Sequence, residues 1–154
     1  MFNRQSFFSQ LSLKPKKVLV YYYDDAVGRA ITRRLQYQGY VAEYIHLDNS
    51  TPAQNLAEDI EIGGIDLVVL PLYFGSLFHD QKRGLEAIVK IRERSRVPII
   101  VLSTDSSNYG ITDLVNVSLI GAEGFVVLPN GVLNIAEMAD QIIINHIVSN
   151  SRLN

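Results

Sequence analysis

Acidic side chains follow two apolar runs of the sequence, and they are the groups best suited to bind a cation. Asp24 and Asp25 come directly after residues 18–23, and Asp105 comes shortly after residues 97–102. If both runs are parallel strands, these carboxylates meet at one edge of a sheet, where they could hold a hard divalent cation. The alternative is that they are solvated helix caps. We favour the caps, and we predict no metal site and no cofactor.

Aromatic side chains gather at the same predicted edge. Tyr22 and Tyr23 end the first apolar run, and Tyr73 and Phe74 follow the third. Ligands of open parallel sheets bind beyond the carboxyl ends of the strands, so Tyr73, Phe74 and Asp105 could form the rim of a pocket for a planar ligand such as a nucleotide. The alternative is that the aromatic rings fill space in the interior, and we favour that interpretation.

Other common chemistries are excluded or lack support. Cysteine is absent, which removes disulfides, thiolate metal sites and a cysteine nucleophile. The three histidines are dispersed at His46, His79 and His146, and no glycine-rich phosphate loop follows the first apolar run. The net charge of -2 gives no general attraction for nucleic acid or anionic membranes. No signal peptide or membrane span is visible, so we expect a soluble, cytoplasmic protein.

Five short apolar strands that alternate with five helices would position these residues. Residues 65–71 form the central strand, because a run of valine and leucine closed by a proline is typical of a strand buried on both faces. The other predicted strands are residues 18–23, 40–47, 97–102 and 125–128, and the predicted helices are residues 24–38, 51–62, 84–94, 109–120 and 132–148. The alternation predicts an α/β fold with a parallel sheet and helices on both faces.

The 154 residues, of which 47% are hydrophobic, are sufficient for a single domain with one complete core. We predict that this domain spans residues 16–149, with a leader at residues 1–15 and a tail at residues 150–154. In the leader, Phe7, Phe8 and Leu11 could share one helical face and dock on a partner or on the domain itself. The alternative is a flexible leader with a few isolated apolar residues.

Several motifs resemble the receiver domain of bacterial two-component response regulators. They are GLEAI at residues 84–88, IRER at residues 91–94, VPIIVLS at residues 97–103 and GAEGF at residues 121–125. The resemblance covers residues 16–148. It implies a flavodoxin-like, five-stranded parallel sheet in the order 2-1-3-4-5, with helices on both faces.

The resemblance also implies where a phosphorylation site would lie. Counting from Lys17 or back from Gly39 places Tyr22 and Tyr23 at the acidic pair that holds magnesium in receivers. A register shift that brings Asp24 into this position is the alternative. The phosphate-accepting aspartate corresponds to Pro71. The remaining positions are Ser103 for the conserved hydroxyl of the family, Leu128 for its lysine and Phe125 for its switching aromatic residue.

Phosphoryl transfer to a receiver needs a carboxylate nucleophile, an oxygen-bound cation and a positive charge near the transferred group. Pro71, Tyr22, Tyr23 and Leu128 supply none of them. We therefore predict a pseudo-receiver, a non-enzymatic signalling module that works without phosphorylation in a two-component-like bacterial pathway. A small-ligand sensor that uses the aromatic rim is the alternative. A cobalamin-type cofactor domain fits less well, because the histidine motif of that family is absent at residues 23–28.

The resemblance further implies a protein partner or a homodimer. Receivers commonly use their fourth and fifth helices with the fifth strand as an interface, and the last predicted helix carries a surplus of isoleucine. Ile135, Ile144 and Val148 are the candidate interface residues on this helix. The alternative is a last helix that is simply well buried. Arginine residues on the first helix are expected to be solvated, so we predict no nucleic-acid or membrane binding by this domain alone.

Overall fold

The computed structural model describes residues 14–48, 50–74, 83–103, 118, 120–128 and 130–152. Within these residues, the chain forms one sheet of five parallel strands in the order β2-β1-β3-β4-β5. The strands are β1 (Lys17–Tyr22), β2 (Val41–His46), β3 (Leu67–Pro71), β4 (Ile99–Ser103) and β5 (Gly124–Val127). The strand order and the parallel direction confirm the predicted flavodoxin-like α/β fold.

Four α-helices and one 3-10 helix are present in the described part of the chain. They are α1 (Asp25–Tyr37), α2 (Ala53–Gly63), α3 (Arg83–Arg92), the 3-10 helix Asn130–Asn134 and α4 (Ile135–Arg152). The predicted helix over residues 109–120 lies almost entirely outside the described residues. None of the described helices is both long enough and apolar enough to cross a membrane.

The sheet separates two hydrophobic clusters because successive side chains of a strand point to opposite faces. On β1, Leu19 and Tyr21 belong to the first cluster, which α2 and α3 cover, whereas Val20 and Tyr22 belong to the second, which α1 and α4 cover. The strand β3 is buried at every position. Burial on both faces explains why its sequence is continuously apolar rather than alternating.

Turn and cap residues set the ends of the first two helices. Asp24 caps α1, with its carboxylate accepting a hydrogen bond of 3.2 Å from the backbone N–H of Val27. Gly39, which follows α1, has a φ of 104°, and Gly64, which ends α2, has a φ of 61°. Both values lie in the left-handed region that glycine adopts without a Cβ penalty.

Three predicted boundaries were wrong. Pro52 is the N-cap of α2 rather than its first helical residue, and it makes no side-chain cap hydrogen bond. The last α-helix begins at Ile135 rather than Val132, because a 3-10 turn precedes it, and it continues to Arg152, beyond the predicted end at Val148. The carboxyl-terminal boundary of the predicted domain therefore falls within a helix.

Candidate functional site at the carboxyl edge of the sheet

Pro71 is the last residue of the central strand β3, and it is buried. The β1–β3 pairing matches Val18 with Leu67 and Val20 with Val69. Continuing this register by two residues places Tyr22 level with Pro71. On the other side, Pro71 pairs with Leu102 of β4. Proline has neither a carboxylate nor a backbone N–H, so this strand end can neither accept a phosphoryl group nor donate a main-chain hydrogen bond to one.

Apolar and phenolic groups surround Pro71 on its own face of the sheet. Tyr22, Leu102 and Leu128 all belong to the second hydrophobic cluster, and their exposed fractions are 3%, 1% and 5%. Strand alternation places the Pro71 side chain on the same face as these three residues. Leu128 follows β5 and is held there by a 2.6 Å hydrogen bond from its backbone N–H to the carbonyl of Ser103. The positions that correspond to the acid and the lysine of receivers are therefore part of the core.

Tyr22 and Tyr23 form a stacked pair at the end of β1. Their ring centroids are 4.4 Å apart, and the Tyr22 hydroxyl donates a 3.3 Å hydrogen bond to the Tyr23 hydroxyl. Burial raises the pKa of Tyr22 far above its usual range, and the Tyr23 hydrogen bond raises it further. Tyr22 therefore remains a neutral phenol at physiological pH. A neutral phenol is a poor substitute for the carboxylate that a magnesium ion prefers.

Asp24 does not occupy the position of the acidic pair. The register of β1 against β3 assigns that position to Tyr22, and the Asp24 carboxylate caps α1. The alternative register, in which Asp24 enters the site, therefore differs from the observed pairing. The predicted partner Asp105 lies outside the described residues. The structure thus gives Asp24 the role of a helix cap, which the sequence also suggested.

Asp25, Tyr44 and His46 form a polar cluster that the sequence analysis did not predict. The Tyr44 hydroxyl donates a 2.7 Å hydrogen bond to the Asp25 carboxylate and lies 3.1 Å from the Tyr22 carbonyl. Nδ1 of His46 lies 2.8 Å from the same Asp25 oxygen. Hydrogen bonds from Tyr44 and then His46 lower the pKa of Asp25. The signal in the sequence was the spacing of positions 44 and 46, which places both side chains on one face of β2.

Contacts with charged side chains and with the backbone of α1 hold the Tyr44 ring in place. Burial is the largest cause that raises the pKa of Tyr44 above its usual range, and the hydrogen bond to Asp25 raises it further. The Arg29 guanidinium lies 5.7 Å from the centre of the Tyr44 ring. The ring also rests on Gly28, where an added Cβ would come within 2.1 Å of a ring carbon. This cluster fixes the beginning of α1 against the edge strand β2.

The structure does not bring the predicted rim aromatics into one pocket. Tyr22 and Tyr23 pack with the second hydrophobic cluster, whereas Phe74 belongs to the first and Tyr73 packs against it, on the opposite face of the sheet. Phe74 is only 2% exposed, and the Arg83 guanidinium lies 5.1 Å from the centre of its ring. A planar ligand therefore cannot stack on both aromatic pairs together, and the geometry gives no support to a shared ligand site.

The segment after β3 is fixed to its neighbours by polar contacts as well as by burial. The Gly84 N–H donates a 2.9 Å hydrogen bond to the Leu72 carbonyl. The Arg83 guanidinium donates to the Thr51 carbonyl, next to the start of α2. A Cβ on Gly84 would lie 2.2 Å from the Pro71 carbonyl oxygen, so α3 begins in direct contact with the end of β3. The space beside this strand end is occupied by the protein's own backbone.

Two further positions implied by the resemblance have clear surroundings. Ser103 ends β4 and is 2% exposed, and its carbonyl accepts the hydrogen bond from Leu128. Phe125 is half-buried on β5, pairs with Val101 and packs against the first hydrophobic cluster. The Phe125 side chain has no hydroxyl with which to report on a neighbouring phosphoryl group. Neither position restores the missing charges.

The residues at this edge do not fit the magnesium ion that receivers hold. Within the described part of the chain, no group of three or more histidine, cysteine, aspartate or glutamate side chains could hold a metal ion. Asp24 is used as a cap, and Asp25 is bonded to Tyr44 and His46. Pro71 contributes no side-chain oxygen. The described residues therefore give no support for a metal-dependent reaction at this edge.

The candidate interface residues on α4 differ in exposure. Ile135 is fully buried in the second hydrophobic cluster, so its assignment to an interface was wrong. Its position at the first residue of α4 directs it towards the sheet. Ile144 is half-buried and Val148 is 42% exposed, and both lie one helical turn apart on the same face. These two residues leave an apolar strip on the surface of α4.

Comparison with known proteins shows which solved structures have the same arrangement of strands and helices. No protein-family model matches the sequence, and comparison with curated proteins gives no match. Solved structures do match. A CheY-like response-regulator receiver domain protein from Methanospirillum hungatei JF-1 has a TM-score of 0.71 and 17% identity, covering 88% of this chain and 99% of that one.

Two further structures give the same result. A response-regulator receiver protein from Pseudomonas putida has a TM-score of 0.65 and 22% identity, covering 83% of this chain and 98% of that one. An orphan response regulator of H. pylori has a TM-score of 0.64 and 17% identity, covering 83% of this chain and 96% of that one. The chain has the flavodoxin-like fold of response-regulator receiver domains. At these identities the likeness establishes the fold, and the function must be argued from the site.

Proposed function

We propose that this protein is a pseudo-receiver, a signalling module of a two-component-like bacterial pathway that works in the cytoplasm without aspartyl phosphorylation. The observation that carries the proposal is the end of β3, where Pro71 is buried on the same face as Tyr22 and Leu128. The proposed module is not an enzyme. It has the receiver fold, and the described residues Tyr22, Pro71 and Leu128 carry no charged group at the positions through which receivers react with phosphate.

An acyl phosphate requires a carboxylate. Among the described residues, the two carboxylates that follow β1 are held in other contacts, with Asp24 capping α1 and Asp25 bonded to Tyr44. A phosphoryl group held beside Pro71 would also bring its negative charge into contact with the second hydrophobic cluster. Transfer of an unpaired charge into such surroundings costs several kcal/mol. The same argument disfavours a transient phosphorylated state.

We propose that the module acts through contacts with a protein partner or a second copy of itself. The exposed part of the apolar strip on α4, at Ile144 and Val148, supports this proposal. Apolar surface on one helix face is a common basis for docking. Because the chemistry of a phosphorylation switch is missing, the signal would be conveyed by binding or by abundance rather than by a covalent mark.

Incubation with beryllofluoride or radiolabelled acetyl phosphate in the presence of magnesium tests the proposal. We expect no stoichiometric label and no fluoride-dependent change in the NMR spectrum. A receiver domain with an intact acidic site serves as the positive control. Stoichiometric labelling would overturn the proposal, and the variants Asp24→Asn and Asp25→Asn would then identify the carboxylate responsible.

Sedimentation over a range of concentrations tests self-association through α4. If a dimer forms through the apolar strip, Val148→Glu weakens it at least tenfold, whereas Leu133→Glu leaves it unchanged. Leu133 is a matched control because it is an exposed apolar residue, 72% exposed, on the preceding 3-10 helix. A protein that remains monomeric at all concentrations would leave a separate protein partner as the route of signalling.

A further inference from the structure

An open groove with mainly apolar walls lies beside the edge strand β2. Its volume is about 450 Å³, and its walls include Val41 and Ile45 of β2, Ile62 in the last turn of α2 and Ile65 just after that helix. Ile62 is 86% exposed and Val41 is 55% exposed. Two large apolar side chains that line the groove are therefore exposed to water. Such an arrangement is expected where another segment covers the groove.

The position of the groove in the fold explains why it is open. β2 is an edge strand, so only β1 pairs with it among the described strands. The α2 residues Leu56 and Ile60 pack into the first hydrophobic cluster, over β1 and β3. On the same face of the sheet, Ile45 is half-buried against this cluster, whereas Val41, at the start of β2, is left exposed.

The chain enters the domain at the mouth of this groove. The Lys16 carbonyl accepts a 2.9 Å hydrogen bond from the Val41 N–H, and Lys17 lines the groove. Residues 1–13, which the structure does not describe, precede this point by only three residues. They contain five large apolar side chains besides Met1, namely Phe2, Phe7, Phe8, Leu11 and Leu13.

Length and charge both match this segment to the groove. Val41 to Ile45 spans about 13 Å along a strand, and six residues of extended chain from position 13 reach about 20 Å. Phe7 and Phe8 can therefore reach any part of the groove, including Val41 and Ile62 near its mouth. The groove walls carry two carboxylates, of Glu43 and Asp59, and one ammonium group, of Lys17, whereas Arg4 is the only charged side chain in residues 1–13. The surplus of negative charge in the groove complements the positive charge of the segment.

We propose that residues 1–13 bind in this groove, with Phe7 or Phe8 packed between Val41 and Ile62. Because the segment is covalently attached next to the groove, its effective concentration there is in the millimolar range, and weak apolar contacts suffice for occupancy. The leader is then an intramolecular cover of the β2 edge. This inference does not depend on the proposed function, because it concerns the amino edge of the sheet rather than Pro71.

Disulfide trapping in the full chain tests the proposal directly, because the protein has no cysteine of its own. We expect the double variant Phe8→Cys, Ile62→Cys to form an intramolecular disulfide at least tenfold faster than Phe8→Cys, Arg96→Cys. Arg96 is a matched control because it is exposed and also precedes a strand at the amino edge of the sheet. Equal rates for the two pairs would overturn the proposal.

Stability measurements on single variants give an independent test. Ile and Ser have similar helix propensities, so Ile62→Ser on an uncovered surface changes stability little. If the leader covers Ile62, the variant lowers Tm by about 2–4 °C, Phe8→Ser lowers it similarly, and the double variant loses no more than either single one. Leu133→Ser is the control and should shift Tm by less than about 1 °C. An Ile62→Ser variant that matches this control would overturn the proposal.

A second copy in the groove is the competing occupant. It predicts that Ile62→Cys alone forms intermolecular disulfides and that Ile62→Ser reduces dimerisation in sedimentation experiments. Either result without the intramolecular Phe8–Ile62 cross-link would overturn the assignment of the leader to the groove.

Discussion

At the scale of single residues, Asp25 has the clearest electrostatic role at the carboxyl edge. Its carboxylate accepts a hydrogen bond from Tyr44 and pairs with His46, and these contacts lower its pKa below the usual range of an aspartate. A group whose pKa is lower in the folded state stabilises the fold above its unfolded pKa. This stabilisation is lost as the pH falls through the folded pKa, because the unfolded chain takes up its proton first.

Removal of the Tyr44 hydroxyl tests this account. We expect Tyr44→Phe to raise the pKa of Asp25 towards the usual value of an aspartate, because the hydrogen bond from Tyr44 is the largest cause of its lowering. The carboxyl carbon resonance of Asp25 in an NMR titration measures the change. Asp48 is an internal control, because its lowered pKa is caused mainly by Ser50. Equal pKa values for Asp25 in the two proteins would contradict the prediction.

The effect on stability has a defined pH dependence. The part of the Tyr44→Phe destabilisation that comes from Asp25 is present above about pH 4 and fades at more acidic pH, where the carboxylate is protonated in both folded and unfolded chains. Urea unfolding at several pH values separates it from the pH-independent loss of the contact with the Tyr22 carbonyl. A destabilisation that stays constant over this range would exclude the electrostatic contribution.

Individual site residues differed in how far the sequence could identify them. The resemblance to receivers assigned Pro71 and Tyr22 to one site by counting without gaps, and the observed β1–β3 register places these two residues level with each other. The Asp25, Tyr44 and His46 cluster was not, because it joins residues about twenty positions apart through contacts that depend on the β1–β2 register. Ile135 was misassigned because helical periodicity gives the side of a helix but not which side meets the sheet.

At the scale of elements, the contact between α3 and the end of β3 explains how the carboxyl edge is closed. Gly84 lies against the Pro71 carbonyl and the Leu72 backbone. These obstacles are main-chain atoms of a central strand, and they cannot move without disturbing the pairing of Pro71 with Leu102. Glycine is therefore required at this helix start because of close approach rather than because of its φ angle.

Substitution of Gly84 should consequently be costly. We expect Gly84→Ala to destabilise the protein by about 2–3 kcal/mol, because a Cβ 2.2 Å from the Pro71 oxygen forces α3 away from the sheet. Gly63→Ala is the control, since its Cβ would meet only the Ile65 side chain at 3.2 Å. Chemical denaturation measures both. A Gly84→Ala variant as stable as Gly63→Ala would show that α3 does not rest on β3 in solution.

Element types were predicted more accurately than element ends. Continuous apolar runs identified β1, β3 and β4, because burial on both faces of a parallel sheet leaves no polar alternation. The edge strand β2 was identified instead by the alternation of Val41, Glu43 and Ile45, and its outer positions are exposed. The start of α4 was missed because Val132 continues the apolar pattern into a 3-10 turn. Pro52 was misplaced by one residue because proline is accepted both at the N-cap and at the first helical position, and sequence alone does not distinguish them.

At the scale of the whole molecule, a buried polar link joins distant parts of the chain. Asp140 of α4 is only 5% exposed, and its carboxylate accepts hydrogen bonds from the Tyr40 hydroxyl and, at 3.0 Å, from the Gln38 side-chain amide. Tyr40 and Asp140 are 100 residues apart. The link fixes the last helix to the turn between α1 and β2, on the side of the sheet that the second hydrophobic cluster occupies.

Loss of the Tyr40 hydroxyl should weaken the whole fold. We expect Tyr40→Phe to reduce the free energy of unfolding by about 1–3 kcal/mol, because it removes a hydrogen bond from a nearly buried carboxylate. Tyr37→Phe serves as a matched control because Tyr37 is 80% exposed. Urea titration measures both variants. A change of less than about 0.5 kcal/mol for Tyr40→Phe would show that the link contributes little.

The overall topology was predictable because few arrangements of five parallel strands satisfy right-handed crossovers. The Asp140 link was not predictable, because a carboxylate on an amphipathic helix is normally assigned to the solvent face. Its burial depends on a tyrosine from another element. The global arrangement of strands follows from local patterns, whereas the polar contacts that join the layers depend on the assembled fold.

The buried Pro71 has an evolutionary consequence. An aspartate introduced at this position alone would meet Tyr22 and Leu128 instead of a cation and an ammonium group, and a lysine introduced first at position 128 would be equally unmatched. Each intermediate would place a lone charge in the interior at a cost of several kcal/mol. We expect that no single substitution at these positions creates acyl-phosphate chemistry, because each charged group needs its counter-charge to be present first.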